Sequence, residues 1–565
     1  MFSKSYRGIT GRARAILAPA LLACAACAGP QLSTDTPPAP QVFYTVTGEI
    51  ALARREPRIA ALQYAAAASS ATDLALLARA SEVTTETLQP TLAAAVAARW
   101  IRLDPGSLDA HRAAAKAALA LSRIEQSAAQ YRIVLTSSPR GAEAEFTDLE
   151  TELGLLDNVF GARQLADRLA AAFPASVAAL RLQGFAAMRA DDPAAAVESF
   201  SHALALGGTT EVGGAQERDT RREITQGLRR ARILAGDAAG PLAESQALAE
   251  RNASPIDVLD YALLLLAAQQ TSAAVAQLES LTGQSDFAPV VLRLLGLIEF
   301  QDGKLDAAGR RFTELLAMGK FVDDAFYYLG LIAERHGDLE RALRLYAQVQ
   351  GGENSVGALL RASDILQTHG AAPAAQELVD HLLEDEPQRA PEILAARAKI
   401  YSDSGDSQQA IEVLDRGLAQ YPDSVEIRYA MASTYEEQGH VGAALHQLKE
   451  VLKARPDDPA AQNAYGYTLA DHKRRLGEAR ALIERAHAAA PRNAAILDSL
   501  GWVLFRQNHA EEALPYLSAA YADDRGSDIA AHLGEVMWQL GRRAEAERIW
   551  TEASAAGVIS DNKLL

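Results

Sequence analysis

A repeat of 34 residues runs through the chain. It constrains the fold more than any other feature, because a fixed period of roughly 20 to 50 residues restricts a chain to stacked copies of one supersecondary unit. Small residues recur at Ala262, Gly296, Gly330, Ser363, Ala398, Ala432, Gly466, Gly501 and Gly534, eight steps that average 34. A second small series, Ala274, Ala308, Ala342, Ala375, Ala410, Ala444, Ala479, Ala513 and Ala546, follows the first by 12 in every case but one. The exception is 13, between Gly466 and Ala479, and it falls in the polar stretch Asp471 to Glu478, where a loop absorbs one residue.

A constant offset of this kind predicts two helices joined by a short turn. The first small residue lets the partner helix approach, and the second does the same one turn into that partner. Glycines fall between them at 303, 337, 370, 405, 439 and 541, where a helix must stop and reverse. A large apolar residue follows the second small one by four, as at Phe312, Tyr346, Leu414, Leu448, Leu517 and Trp550, which is helical spacing for a core side chain. Pro387, Pro422, Pro456 and Pro491 close second helices. Pro515 falls inside one and predicts a cost of about 3 kcal/mol. Composition agrees: 49% hydrophobic residues but only 6% aromatic ones, with alanine prominent, favour helix over strand and exclude disorder.

The pattern continues toward the N-terminus with looser consensus. Gly48 with Ala60, Ser81 with Ala93, Ala115 with Ser127, Glu150 with Ala162, Gly184 with Ala196 and Gly227 with Ala239 keep the offset of 12, giving fifteen units. Glu150 breaks the small-residue rule, and Gly240-Pro241 is predicted to interrupt the second helix near Ala239. Between Gly184 and Gly227 the step is 43, with the excess assigned to the glycine-rich stretch 207–214. That stretch lacks the nearby lysine and preceding strand of a phosphate loop, and it reads as a boundary between two arrays.

This helix-turn-helix pattern resembles the tetratricopeptide repeat. The expected fold is an all-α superhelical solenoid, with one array over 43–206, a linker over 207–219, a second array over 220–556 and a tail over 557–565. Such proteins line their concave face with the first helix of each pair, which implies that residues three before and one, four and five after the small residue face the groove. In the last four units these are Tyr429, Ser433, Glu436 and Glu437; Asn463, Tyr467, Ala470 and Asp471; Asp498, Trp502, Phe505 and Arg506; Ala531, Glu535, Trp538 and Gln539. Tryptophan and arginine are frequent interface anchors, and two of the four tryptophans lie here. Asn463 and Asp498 are expected to hold a peptide backbone and Arg506 to pair with an acidic group. The competing reading has Trp502, Phe505 and Trp538 sealing the packing of the last repeats.

The first residues carry a different signal. Lys4, Arg7, Arg12 and Arg14 precede an apolar stretch from Ala15 to Ala23 and then Cys24, the order of a secretory leader. Leu21-Leu22-Ala23-Cys24 resembles the lipobox of bacterial lipoproteins, which implies a leader over 1–23, lipidation (a palmitate-type acyl anchor) at Cys24 and a Pro-rich tether over 24–42. Cys27 is the second candidate for lipidation, and no cysteine follows it. Cleavage would take the net charge from −17 to −21, which argues against nucleic-acid binding.

No HExxH, GxSxG or metal-spaced Cys/His set is present. His440 and His446 are six apart, off one helix face, and acidic pairs such as Glu436-Glu437 and Asp457-Asp458 are common on solvated helices. The expectation is a non-enzymatic protein with no metal, cofactor or small-molecule substrate. An unrecognised enzymatic site in the N-terminal units or the 207–214 stretch is the alternative from another class.

The segment from Asn463 to Trp550 is similar to the C-terminal repeats of proteobacterial outer-membrane lipoproteins of this repeat type. Some serve as adaptors for a periplasmic carboxyl-terminal processing protease and its cell-wall hydrolase substrates. The resemblance implies an outer-membrane scaffold facing the periplasm, in contact with the membrane through its lipid only. Its partners would be that protease or cell-wall enzymes. The alternative is an assembly factor for a secretin, pilus or peptidoglycan-synthase machine.

Overall fold

A computed structural model describes residues 40–207, 215–252, 254–283 and 286–555. The leader, Cys24, most of the tether, the stretch 208–214 and the tail lie outside the described residues. Among those described, thirty α-helices run from α1 (Pro40–Ala53) to α30 (Arg543–Ala555) without a strand. They pair as fifteen hairpins, one for each expected unit. Many of the helices begin where a short polar side chain or proline stands. Ser107, Ser176, Ser424, Asp458 and Asn493 accept backbone N–H bonds at the starts of first helices, and Asp192, Asp338 and Asp406 do so at second helices. α28 (Ala510–Asp523) runs on through Pro515; nothing in the structure accounts for that proline.

The two small-residue series prove to describe one contact. At Gly48, Gly184, Gly296, Gly330, Gly501 and Gly534 the first-helix glycine faces the large residue sixteen positions later. A Cβ on Gly48 would stand 2.8 Å from the Tyr64 ring, and one on Gly501 2.5 Å from Leu517 Cγ. In the unit with the extra residue the facing pair is Gly466 and Ile483, seventeen apart. Where Glu150 replaces the small residue, the position sixteen later is the fully buried Ala166, so volume has moved from one helix to the other.

The turn follows an equally strict rule. A residue with positive φ stands seven after the first small residue in thirteen of the fifteen units, and only six of these are glycine: Arg55, Leu88, Ser122, Asp191, Gln269, Lys473 and Asn508 adopt φ between 51° and 69°. The left-handed geometry is thus a property of the hairpin, and glycine relieves its strain in some units only. In the lengthened unit, the four residues between α25 (Pro459–Asp471) and α26 (Leu476–Ala489) hold a second left-handed residue, Arg475.

The two exceptions to the turn rule are the units of Glu150 and Gly227. In the second, α11 (Ala215–Leu234) begins inside the expected linker and accounts for part of the excess length. Gly227 packs against Phe200 of the preceding unit, and the positive φ falls on Gly236, nine residues on. Gly240-Pro241 does not interrupt the second helix. α12 (Ala239–Asn252) starts at Ala239, and Pro241 lies in its first turn, where no intrahelical N–H is required. At the N-terminus, α1 starts at Pro40, inside the expected tether, because proline suits the first helical position.

The superhelix closes on itself. Gln89, 2% exposed, donates to the Gln420 carbonyl at 2.7 Å, the Thr91 amide to Asp423 at 3.4 Å, and Arg492 to the Leu234 carbonyl at 2.8 Å. Arg55 pairs with Glu384 in the same seam, and Leu88 packs on the core of Ala398, Leu414 and Ile427. The first repeats therefore dock on repeats nine units further along the chain.

Candidate functional site

The expected groove residues lie on α23 (Val425–Glu437), α25, α27 (Ala494–Arg506) and α29 (Ser527–Gln539). The helical period puts them on one side of the array, and successive first helices bring them together. At the centre is a residue outside the expected set, His532. Its ring stacks on Trp502 with centroids 3.9 Å apart and planes 20° apart, and its Nδ1 lies 2.9 Å from the Asp498 carboxylate. Tyr467 approaches the same ring at 6.0 Å and Phe505 stacks on Trp502 at 5.3 Å.

The charges in this cluster are committed to one another. The Trp502 indole donates to Asp471 Oδ1 at 3.1 Å. Arg506 lies over the Trp502 ring at 4.7 Å, donates to the Ala470 and Asp471 carbonyls, and stands 3.5 Å from the Asp471 carboxylate. Its guanidinium therefore already has acceptors, and an incoming acid would have to compete with them. Asp498 likewise faces His532 in the interior, so a peptide backbone reaches neither oxygen without displacing the histidine. Trp502 at 4% and Phe505 at 8% exposure pack between repeats.

What remains accessible forms a rim. Trp538 is 41% exposed, packs at 5.8 Å on the half-buried Trp550 and carries Arg543 over its face at 4.9 Å. Glu535, Ser433, Glu437 and Gln539 are exposed, while Tyr429, Asn463, Ala531 and Tyr467 are half-buried. The Tyr429 hydroxyl and Asn463 Oδ1, on neighbouring first helices, are buried with no hydrogen-bond partner. Burial pushes the Tyr429 and Tyr467 phenols up, with nearby carboxylates adding to the shift. Glu436 is also raised, chiefly by burial, against a Thr468 hydrogen bond and His472 at 3.8 Å.

His532 escaped the lining rule because it stands two, not three, residues before its small residue. A signal for it does exist. It follows Asp498 by one repeat, and oppositely charged residues about one repeat apart bridge first helices elsewhere: Arg181 to Glu150 at 2.9 Å, Arg112 to Glu145 at 2.8 Å. The Asp498–His532 pair has no nucleophile in line. The neighbouring Ser499 hydroxyl donates to the Ala495 carbonyl at 2.8 Å. The arrangement is a buried aromatic stack with an exposed, amphipathic rim. Among the described residues, no group of three or more His, Cys, Asp or Glu is placed to hold a metal, and no helix is long and apolar enough to cross a membrane.

Comparison with known proteins bears on the repeat itself. Residues 294–355, 401–466 and 499–560 match the tetratricopeptide repeat. The chain is 36% identical over 214 residues to the TPR repeat-containing protein PA4667 of Pseudomonas aeruginosa; the match covers 38% of this chain and 36% of that protein. The chain thus spans about a third of the length of this curated relative. Among solved structures, a tetratricopeptide repeat protein from Parabacteroides merdae is 18% identical, with a TM-score of 0.31, over 44% of this chain and 98% of its own. Yeast Tom70 is 12% identical, with a TM-score of 0.38, over 93% of this chain and 98% of its own. The fold is an all-α tetratricopeptide-repeat superhelix, an architecture of protein–protein interaction scaffolds.

Proposed function

We propose that this chain is a lipid-anchored scaffold of the bacterial outer membrane that faces the periplasm, binds protein partners through the first-helix face of its last four repeats, and recruits a carboxyl-terminal processing protease to cell-wall hydrolases. The observation that carries the binding role is the exposed rim of Trp538, Glu535, Ser433 and Glu437 on first helices of these repeats, set on the buried stack of Trp502, Phe505 and His532. A buried stack beneath it holds such a rim in place, which lowers the entropic cost of binding. The anchor rests on the lipobox at Cys24, and the protease partnership on the likeness of 463–550 to adaptor lipoproteins. The test is affinity capture from envelope extract with the processed protein as bait. A periplasmic processing protease or a cell-wall hydrolase is the expected prey; recovery of neither removes the adaptor role.

A further inference from the structure

The array starts on an apolar face. α1 packs chiefly on α2 (Pro57–Ser70), where Gly48 meets the Tyr64 ring. Successive residues turn by about 100° along a helix, which puts Val42, Val46 and Ile50, with Phe43 beside them, on the side of α1 opposite Gly48. Val42, Phe43 and Val46 are more than half exposed and Ile50 nearly so. Among the described residues only Leu155 shows more of a large apolar side chain than the first three. A solenoid ordinarily ends in a repeat with a polar outer face, so this face calls for a cover.

The polar side chains of α1 are engaged within the first repeats. Glu49, the one charged residue of the helix, accepts from the Tyr64 hydroxyl and from Arg79 at 3.3 Å. The Thr45 and Thr47 hydroxyls donate back to the Gln41 and Phe43 carbonyls at 3.0 and 2.9 Å, and Gln41 donates to the Ser70 carbonyl at 3.2 Å. Taking the apolar side out of water therefore strands no unpaired charge.

We propose that α1 lies on the bilayer surface to which Cys24 anchors the chain, with Val42, Phe43, Val46 and Ile50 entering its apolar edge. This inference rests on the anchoring at Cys24 proposed above. Two quantities favour lipid over protein as the cover. Cys24 precedes Pro40 by sixteen residues, at most about 55 Å of chain at about 3.4 Å per residue, so α1 is the first described element that an anchor there brings to the membrane. The face is also small. A helix of 14 residues is about 21 Å long and about 10 Å wide, roughly 200 Å² of contact, where a stable protein interface takes about 800 Å² from each partner. A second copy or a protein partner would need further surface. A helix already held at the membrane by an acyl chain needs only the insertion of a few side chains, and at this length it lies along the surface without spanning it.

The test supplies the anchor chemically. The full mature chain carrying Cys27→Ala is coupled through Cys24 to a maleimide-bearing lipid in phosphatidylcholine vesicles, and Phe43→Trp reports insertion through quenching by lipids brominated in their acyl chains. The Phe43→Trp chain has one new tryptophan beside four native ones, so up to about a fifth of its emission should be lost on brominated vesicles, and the parent should lose none. Adding V42S and V46S should abolish the quenching with helical circular dichroism unchanged, because both side chains are more than half exposed. Leu155→Trp, at an exposed position after α7 (Ala142–Gly154), should not be quenched. Equal emission of the Phe43→Trp chain on brominated and plain vesicles overturns the proposal and leaves the face to a protein. Equal quenching of Leu155→Trp also overturns it, since the whole chain would then adsorb. A dimer of the untethered chain in sedimentation equilibrium that V42S/V46S dissociates gives the face to a second copy and overturns it as well. Acylation by the cell plays no part in these measurements, so their failure leaves the Cys24 anchoring standing; that anchoring is read separately, by lipid labelling of Cys24→Ala.

Discussion

His532 Nδ1 lies 2.9 Å from the Asp498 carboxylate, and this buried pair ties the first helix of the last repeat to that of the one before it. Removing one partner strands the other in the interior. Asp498→Ala is expected to destabilise the C-terminal repeats by about 3 kcal/mol, read as an earlier denaturant midpoint in tryptophan fluorescence. The double variant with His532→Ala should recover part of that loss; strict additivity would show that the two groups do not interact.

Two helical glycines, Gly534 on a first helix and Gly442 at the start of a second, predict a graded response to one methyl group. Gly534 faces the Trp550 indole with no room for a Cβ, whereas a Cβ on Gly442 meets nothing within 4 Å. Gly534→Ala should therefore cost about 2 kcal/mol through overpacking, and Gly442→Ala should be neutral or stabilising by up to about 1 kcal/mol. Thermal melts of both variants decide the matter; equal melting temperatures would contradict the close approach.

Burial raises Glu436 above its ordinary 4.5. Between the unfolded and folded values the native state binds more protons, so stability falls as pH rises through that window and remains reduced above it. Glu436→Gln, which cannot ionise, should gain stability over the parent at neutral pH, and the gain should vanish below 4.5. Denaturant titrations at acid and neutral pH read the difference; a loss at neutral pH would mean that the charge is stabilised by Thr468 and His472 instead.

The seam between distant repeats depends on few groups. Gln89→Ala removes the donor to Gln420 and the acceptor of Arg58 at 3.1 Å, and Arg55→Ala removes the pair with Glu384. Together they should weaken the closure by about 1 to 2 kcal/mol and lengthen the maximum dimension in small-angle X-ray scattering, with helicity unchanged. An unaltered scattering profile would assign the closure to apolar packing around Leu88.

Under the proposed anchoring, Cys24→Ala should move the protein from the membrane to the soluble envelope fraction and abolish labelling by an alkyne-palmitate analogue. Labelling that survives would place the lipid on Cys27.

Much of the array is legible in one dimension because its contacts are short in sequence. Gly501 meets Leu517 sixteen residues away, so both halves of the contact recur with the period. The turn was legible only in part: Gly303 and Gly405 announce it, but Leu88 and Lys473 adopt the same left-handed turn under the pull of hairpin packing. The groove positions were placed on one face by helical geometry. Their availability was not, because the acceptors of Arg506 and the partner of Asp498 come from adjacent repeats.

The amino-acid order by itself therefore determined the unit, its period and its two-helix form, all of which depend on residues within one repeat or its neighbour. Tertiary structure alone decided the seam of Gln89 with Gln420 and the burial of Trp502 under His532. Those features depend on small rotations between repeats that accumulate along the superhelix, and no local pattern of side chains encodes their sum.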